Sequence, residues 1–287
     1  MNLDEAAVAA GVGLITCDEI DSTNADALRR ARRGEQGPLW VTARVQSAGR
    51  GRRGRAWTSG PGNLHATLLL TDPSPPALAP QLSFVAALAL HDAIVQIAVA
   101  IRPHLELKWP NDMLCRGAKL AGILVEGEGT PLSVAIGIGV NCTEHPDGTD
   151  YPATDFAEQG VKVTPVRLFR ALSAAMVRRL RQWERGQNFA TIRADWLERA
   201  SGLGHELRVR LVDRELTGRF ESLDTTGRLL LRLPDGGIEA IAAGDICPLY
   251  PSAEAGKTSE QRASSDVVSI APTAAQSGRK PDGNRDR

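Results

Sequence analysis

Between Gln46 and Trp57 the chain reads Gln-Ser-Ala-Gly-Arg-Gly-Arg-Arg-Gly-Arg-Ala-Trp, setting four arginines (Arg50, Arg52, Arg53, Arg55) among three glycines (Gly49, Gly51, Gly54). Glycine lets backbone N–H groups close in on a ligand, and each guanidinium adds a fixed charge with paired donors matched to phosphate or carboxylate. The pattern points to an anion held in a loop that can move. A solvated basic loop or a Gly-Arg patch for RNA would use the same residues. The lack of a repeat and a formal net charge of zero argue against RNA.

Four other segments could do chemistry. Lys108-Trp-Pro-Asn-Asp112 puts an ammonium and a carboxylate on either side of a rigid corner, suited to a nucleotide phosphate with its Mg²⁺. The alternative is Trp109 as core and Asn111-Asp112 as a turn. In Lys119-Leu-Ala-Gly-Ile-Leu-Val-Glu126, Lys119 stands at a strand entrance where it can reach a carboxylate or phosphate, and Gly122 leaves room for a ligand on the sheet. An ordinary buried strand has the same pattern. Gly137-Ile-Gly-Val-Asn141 lacks the third glycine and following helix of a dinucleotide fingerprint, so that reading is rejected; Asn141 is either an adenosine contact or a turn former. Asp21-Ser22-Thr23-Asn24 opens a helix, and its hydroxyl and amide groups either cap that helix or bond a polar ring.

The elements that must position these segments belong to an ordinary globular chain: 287 residues, 42% hydrophobic, 24% charged. The N-terminus lacks the layout of a secretory signal. The apolar stretch from Leu82 to Ile101 carries His91 and Asp92 at its centre, which favours a core helix over a membrane span. Cys17, Cys115, Cys142 and Cys247 are dispersed, fitting free thiols in the cytoplasm rather than a zinc site or disulfides.

A helix is expected from Thr23 to Arg33, then strand, long loop and strand around residues 46–60, and a core helix over 82–101. Strands at LELKWPND, KLAGILVEG and PLSVAIGIGVN follow, giving a sheet built mostly in the second half and covered by helices at 166–184 and 188–200. After Gly202 short alternating runs predict a separate small β-barrel. From Ser252 onward no aromatic residue remains, and the tail is expected to be disordered. The fold class is α+β, a mixed sheet flanked by helices, with domains 1–201 and 202–251 and a tail over 252–287.

Taken in order, DSTN, QSAGRGRRGRAW, KWPND, KLAGILVE and GIGVN resemble the signature of the biotin protein ligases over roughly residues 14–250. The resemblance implies a class II synthetase-like catalytic fold with an SH3-like C-terminal barrel. It also implies ATP with Mg²⁺, biotin as substrate and a biotin carboxyl carrier protein as acceptor. Some members carry a DNA-binding domain ahead of DSTN. With only about twenty residues before Ser22, a ligase without repressor activity, and no DNA or membrane partner, is expected. Related ligases pair through sheet edges, so a homodimer is implied.

Residue by residue, the resemblance puts Ser22, Thr23, Asn24 and Gln46 around the biotin ureido ring. Arg50, Gly51 and Arg52 belong to the loop closing over biotin and adenylate, with Gly122 and Leu124 beneath. Lys119 matches the lysine contacting the biotin carboxylate and α-phosphate. The ATP side comprises Arg50, Arg52, Arg53, Arg55, Trp57, Lys108, Asn111, Asp112 and Asn141, with Asp112 toward Mg²⁺ and a second loop at about 142–151. Lys119, Arg52 and Lys108 are the expected catalytic charges. No enzyme nucleophile is needed, in keeping with the absence of a Ser-His-Asp or Cys-His set. A lipoate ligase or octanoyl transferase shares the fold class, but the polar cluster at 22–24 and Gln46 suits a ureido ring better than an aliphatic chain.

Overall fold

The computed structural model describes residues 1–149 and 151–249; the tail expected at 252–287 lies outside the described residues. A seven-stranded sheet is formed by β1 (Gly13–Ile20), β2 (Leu39–Gln46), β3 (Leu64–Thr71), β4 (Leu105–Lys108), β5 (Asp112–Cys115), β6 (Ala118–Glu128) and β7 (Ser133–Val140), in the order β1-β2-β3-β7-β6-β5-β4. The β1–β2 pair is parallel and the other pairs are antiparallel. This corrects the expectation of a sheet built mostly in the second half: all seven strands end by Val140. Strand β1 escaped the sequence reading because it is an edge strand with no fully buried residue, so its alternation is weak.

The two faces of the sheet are sorted by the period-2 alternation of side chains. On one face Trp40, Leu64, Ala66, Leu68, Leu70, Ile136, Ile138 and Val140 are buried in the main core. They lie with α3 (Leu82–Ile97) and α4 (Pro165–Trp183), and Trp40 meets Phe169 edge-on at 5.3 Å. Helix α4 starts at Thr164, whose side chain accepts from Arg167 N–H with Pro165 at the first helical position, and its C-cap Glu184 is left-handed. The apolar stretch expected to be helical through Ile101 stops at Ile97 and continues as a 3₁₀ turn over Val99–His104. Among the described residues, Pro76–Ile97 has the length and hydropathy to cross a membrane, but most of it is buried in the core. Arg179 on α4 ties α3 to α5 (Phe189–Leu197) through Asp92 at 2.7 Å and Asp195 at 2.5 Å.

On the opposite face α2 (Thr23–Arg32), which follows the short α1 (Glu5–Ala9) and β1, covers only part of the sheet, packing Ala27 and Leu28 on Val41, Leu69 and Ala135. Beyond its N-terminus this face is left without apolar cover, and there the site lies.

A second, antiparallel sheet follows, formed by β8 (Glu206–Arg210), β9 (Glu215–Leu223), β10 (Leu229–Arg232), β11 (Ile238–Ile241) and β12 (Asp245–Pro248), ordered β11-β10-β9-β8-β12. It buries Leu207, Val209, Phe220, Leu229, Leu231 and Ile246. It meets the rest of the chain at Trp109, whose indole Nε1 donates to the Gly227 carbonyl at 3.1 Å. The architecture is α+β: a helix-flanked mixed sheet with a separate antiparallel sheet after it.

Candidate functional site

Cross-strand pairing lines up the chemistry in rows. Ala43, His65, Gly139, Gly122, Asp112 and Lys108 are successive partners across β2, β3, β7, β6, β5 and β4. The parallel row reads Val41, Thr67, Gly137 and Leu124. Cross-strand partners share a face, so three glycines make a bare floor between a polar edge and a charged one. Gly137 and Gly139 belong to the segment rejected as a dinucleotide fingerprint. A methyl on Gly139 would come within 2.5 Å of the Trp57 ring, and one on Gly137 would strike the Asn24 amide oxygen.

Above this floor lies a cavity of 540 Å³. It is lined by Ser22, Thr23, Asn24, Gln46, Arg50, Gly51, Arg52, Arg55, Trp57, Lys108, Asn111, Asp112, Lys119, Gly122, Leu124 and Asn141, which are the anticipated site residues apart from one. Arg53 is the exception: it stands outside the lining and pairs with Asp245 at 2.9 Å.

At the polar end, Ser22 caps α2 by accepting from Ala25 N–H. Gln46 accepts from Thr23 N–H at 2.8 Å and from the Thr23 hydroxyl at 3.0 Å, while its amide nitrogen donates to Ser59. Asn24 accepts from the Thr67 hydroxyl and donates to the Leu124 carbonyl and to Glu126 at 2.8 Å. Glu126 also takes Arg50 at 3.3 Å, tying the Gly-Arg loop to β6. Thr67, Ser59 and Glu126 were not singled out from sequence, since nothing local marks them; only the fold brings them to residues 22–24. His65 is 1% exposed, with Nε2 3.2 Å from the Gly60 carbonyl and Nδ1 buried without a partner. Burial holds its pKa below the ordinary imidazole value.

At the charged end, Lys119 Nζ stands 2.8 Å from Asp112 and 5.5 Å from the Trp57 ring centre. Lys108 is buried with its ammonium 3.3 Å from the centre of the Tyr151 ring, and burial lowers its pKa despite Asp112 nearby. Among the described residues no cluster of three His, Cys, Asp or Glu could hold a metal ion by itself. Trp109 and Asn111 serve structure as well: the first is core, and Asn111 donates to the Ile123 carbonyl at 2.7 Å. Asn141, left between an adenosine contact and a turn former, donates to the Thr154 carbonyl at 3.0 Å while lining the cavity. It helps hold the segment after β7, whose Ala153 pairs with Lys119.

The Gly-Arg segment folds back on itself: Gly51 N–H donates to the Arg55 carbonyl at 2.7 Å and Trp57 N–H to the Gly49 carbonyl at 2.9 Å. Arg53 and Gly54 take left-handed φ at the tip, a conformation glycine adopts at little cost. Arg52 reaches inward to Asn111 at 3.2 Å and the Gly244 carbonyl at 3.3 Å, and burial pulls its pKa below the usual guanidinium value. The arrangement can hold a polar ring at one end and an anionic group at the other.

A model described as the biotin/lipoate A/B protein ligase family matches residues 17–141, and one described as the biotin protein ligase C-terminal domain matches residues 202–247. A biotin--[acetyl-CoA-carboxylase] ligase of Paracoccus denitrificans is 43% identical over 235 residues, covering 79% of this chain and 96% of that protein. One from Mycobacterium tuberculosis is 33% identical over 263 residues, covering 86% and 94%. The solved biotin protein ligase of Aquifex aeolicus, in complex with biotin and ATP, superposes with a TM-score of 0.70 at 26% identity, covering 82% of this chain and 97% of its own.

Proposed function

The chain belongs to the biotin/lipoate A/B protein ligase family, as a biotin protein ligase, and from that premise we propose that it forms biotinyl-5′-AMP from biotin and ATP and passes biotin to a lysine of a biotin carboxyl carrier protein. The observation that carries this reading is a cavity that has a ring-bonding set at one end, a glycine floor, and Lys119 with Arg52 at the other.

In the first step a biotin carboxylate oxygen attacks the α-phosphorus of ATP and pyrophosphate leaves. In the second an acceptor amine attacks the carbonyl of the mixed anhydride and AMP leaves. Two anions must be brought together first, so catalysis rests on positioning and on fixed positive charge. Lys119 and Arg52 supply charge at the reacting groups and Lys108 supplies it toward the phosphates. Ser22, Thr23, Asn24 and Gln46 hold the ureido ring; Gly122 and Leu124 underlie it. Arg50 and Gly51 close the loop, with Arg55, Trp57, Asn111 and Asn141 on the nucleotide side. Mg²⁺ bound with ATP would lower the negative charge on its phosphates. Asp112 is the one carboxylate among the described lining residues beside Lys119 that can meet it, which suits a cation that keeps most of its waters.

Residues 1–201 would form the catalytic domain, and residues from 202 the SH3-like domain. The four cysteines form no disulfide among the described residues, which suits a reducing, cytoplasmic setting. The proposed homodimer contact falls on β1, because the other edge strand, β4, already pairs with Ala200.

The test is pyrophosphate release from Mg²⁺-ATP with biotin or lipoate added separately, followed by mass analysis for a retained acyl adenylate. Biotin-dependent release with biotinyl-AMP is expected. Release with lipoate alone would move the substrate to the other branch of the family.

A further inference from the structure

The tip of the Gly-Arg loop is not free over the cavity. Asp245, the first residue of β12 in the C-terminal sheet, receives Arg53 at 2.9 Å and Arg55 at 3.2 Å and lies 4.0 Å from Arg52. The neighbouring Gly244 carbonyl accepts from Arg52 as well. Arg52, Arg55 and Asp245 line the cavity, whereas Arg53 does not. One carboxylate facing three guanidinium groups leaves the cluster with a positive excess, so it gathers the arginines without cancelling their attraction for a polyanion.

We propose that Asp245 is a positioning residue for the nucleotide: from the C-terminal sheet it holds the loop arginines in place, so that a triphosphate meets a preformed cationic wall. This rests on the ATP-dependent reading above. It gives the second sheet a part in the first step, with no contact between Asp245 and the reacting atoms. Preorganised charge binds better than charge that must be gathered on arrival, because less side-chain freedom is lost.

Two variants test it. Asp245→Asn keeps the size and removes the charge. Arg53→Ala removes one strut of the latch from outside the cavity. These pairs are partly exposed, so the effect is modest: a KM for ATP raised about fivefold in Asp245→Asn and about twofold in Arg53→Ala. The biotin dissociation constant should rise less than the KM for ATP, because the arginines that Asp245 grips face the nucleotide end, and Asp245→Glu should restore most of the ATP affinity. The second readout needs no substrate: trypsin should cut the ligand-free loop after Arg52, Arg53 or Arg55 severalfold faster in Asp245→Asn than in the wild type. Equal melting temperatures exclude a general loss of fold. Unchanged proteolysis with unchanged KM would overturn the proposal. So would a lowered KM, which would make Asp245 a competitor of phosphate. A wild type that releases no pyrophosphate with biotin would sink the ligase reading and leave the proteolysis result to judge the latch.

Discussion

Gly139→Ala separates a strand role from a floor role at the centre of β7. The backbone there is not left-handed, so alanine is tolerated, and replacing a strand glycine gains roughly 0.5–1 kcal/mol from reduced freedom of the unfolded chain. Against this, the new methyl would stand 2.5 Å from Trp57 Cε2 and 2.6 Å from Nε1. Ordinary carbon contacts lie at about 3.5–4.0 Å, so the ring must retreat by about 1 Å. Trp57 Nε1 is buried without a hydrogen-bond partner, so no such bond opposes that movement. The two effects nearly offset, and the melting temperature should change little. A ligand lying on the glycine floor has no such escape, because the sheet is beneath it and the loop above. Overpacking of this kind costs about 1–3 kcal/mol, or about 5- to 150-fold in the dissociation constant of biotin. Titration calorimetry with biotin, beside scanning calorimetry of the free protein, measures both terms. A biotin affinity within twofold of wild type would refute the floor, and a large drop in melting temperature would show that Gly139 serves the fold instead.

Three other outcomes follow from the same geometry. Lys119→Ala, which removes the ammonium paired with Asp112, should slow adenylate formation about tenfold to a hundredfold, the value of one charge-assisted contact, as read by single-turnover pyrophosphate release; unchanged turnover would remove Lys119 from the site. Arg52→Gly loses the links to Asn111 and Gly244 and should let the adenylate escape, so the variant should emerge from gel filtration without biotinyl-AMP where the wild type retains it. Burial lowers the pKa of His65, so the folded chain resists a proton that the unfolded chain takes up below about pH 6.5. Stability is therefore full above that pH and declines as pH falls through it. In His65→Gln that decline should be smaller by chemical denaturation at each pH, and an equal decline would assign it to other groups.

Much of the site was legible in the sequence because its chemistry is local. The Gly-Arg run between two strands, the Lys108–Asp112 corner and the helix cap at Ser22 each concentrate unusual residue types within a few positions, and all but Arg53 of the predicted set line one cavity. Apolar periodicity likewise marked α4, whereas α3 was marked by a long apolar run and is buried nearly all round. Strand β1 was missed because an edge strand with intermediate burial carries little alternation. What only the tertiary structure decided is pairing at long range. The register that aligns His65, Gly139, Gly122 and Asp112 joins strands up to 74 residues apart, measured from His65 to Gly139, so no window along the chain contains it. Glu126 reaches Asn24, and Asp245 reaches the loop arginines, by the same route. Residue types and their local spacing fixed which groups could act; the sheet register and the docking of the second sheet determined which of them meet.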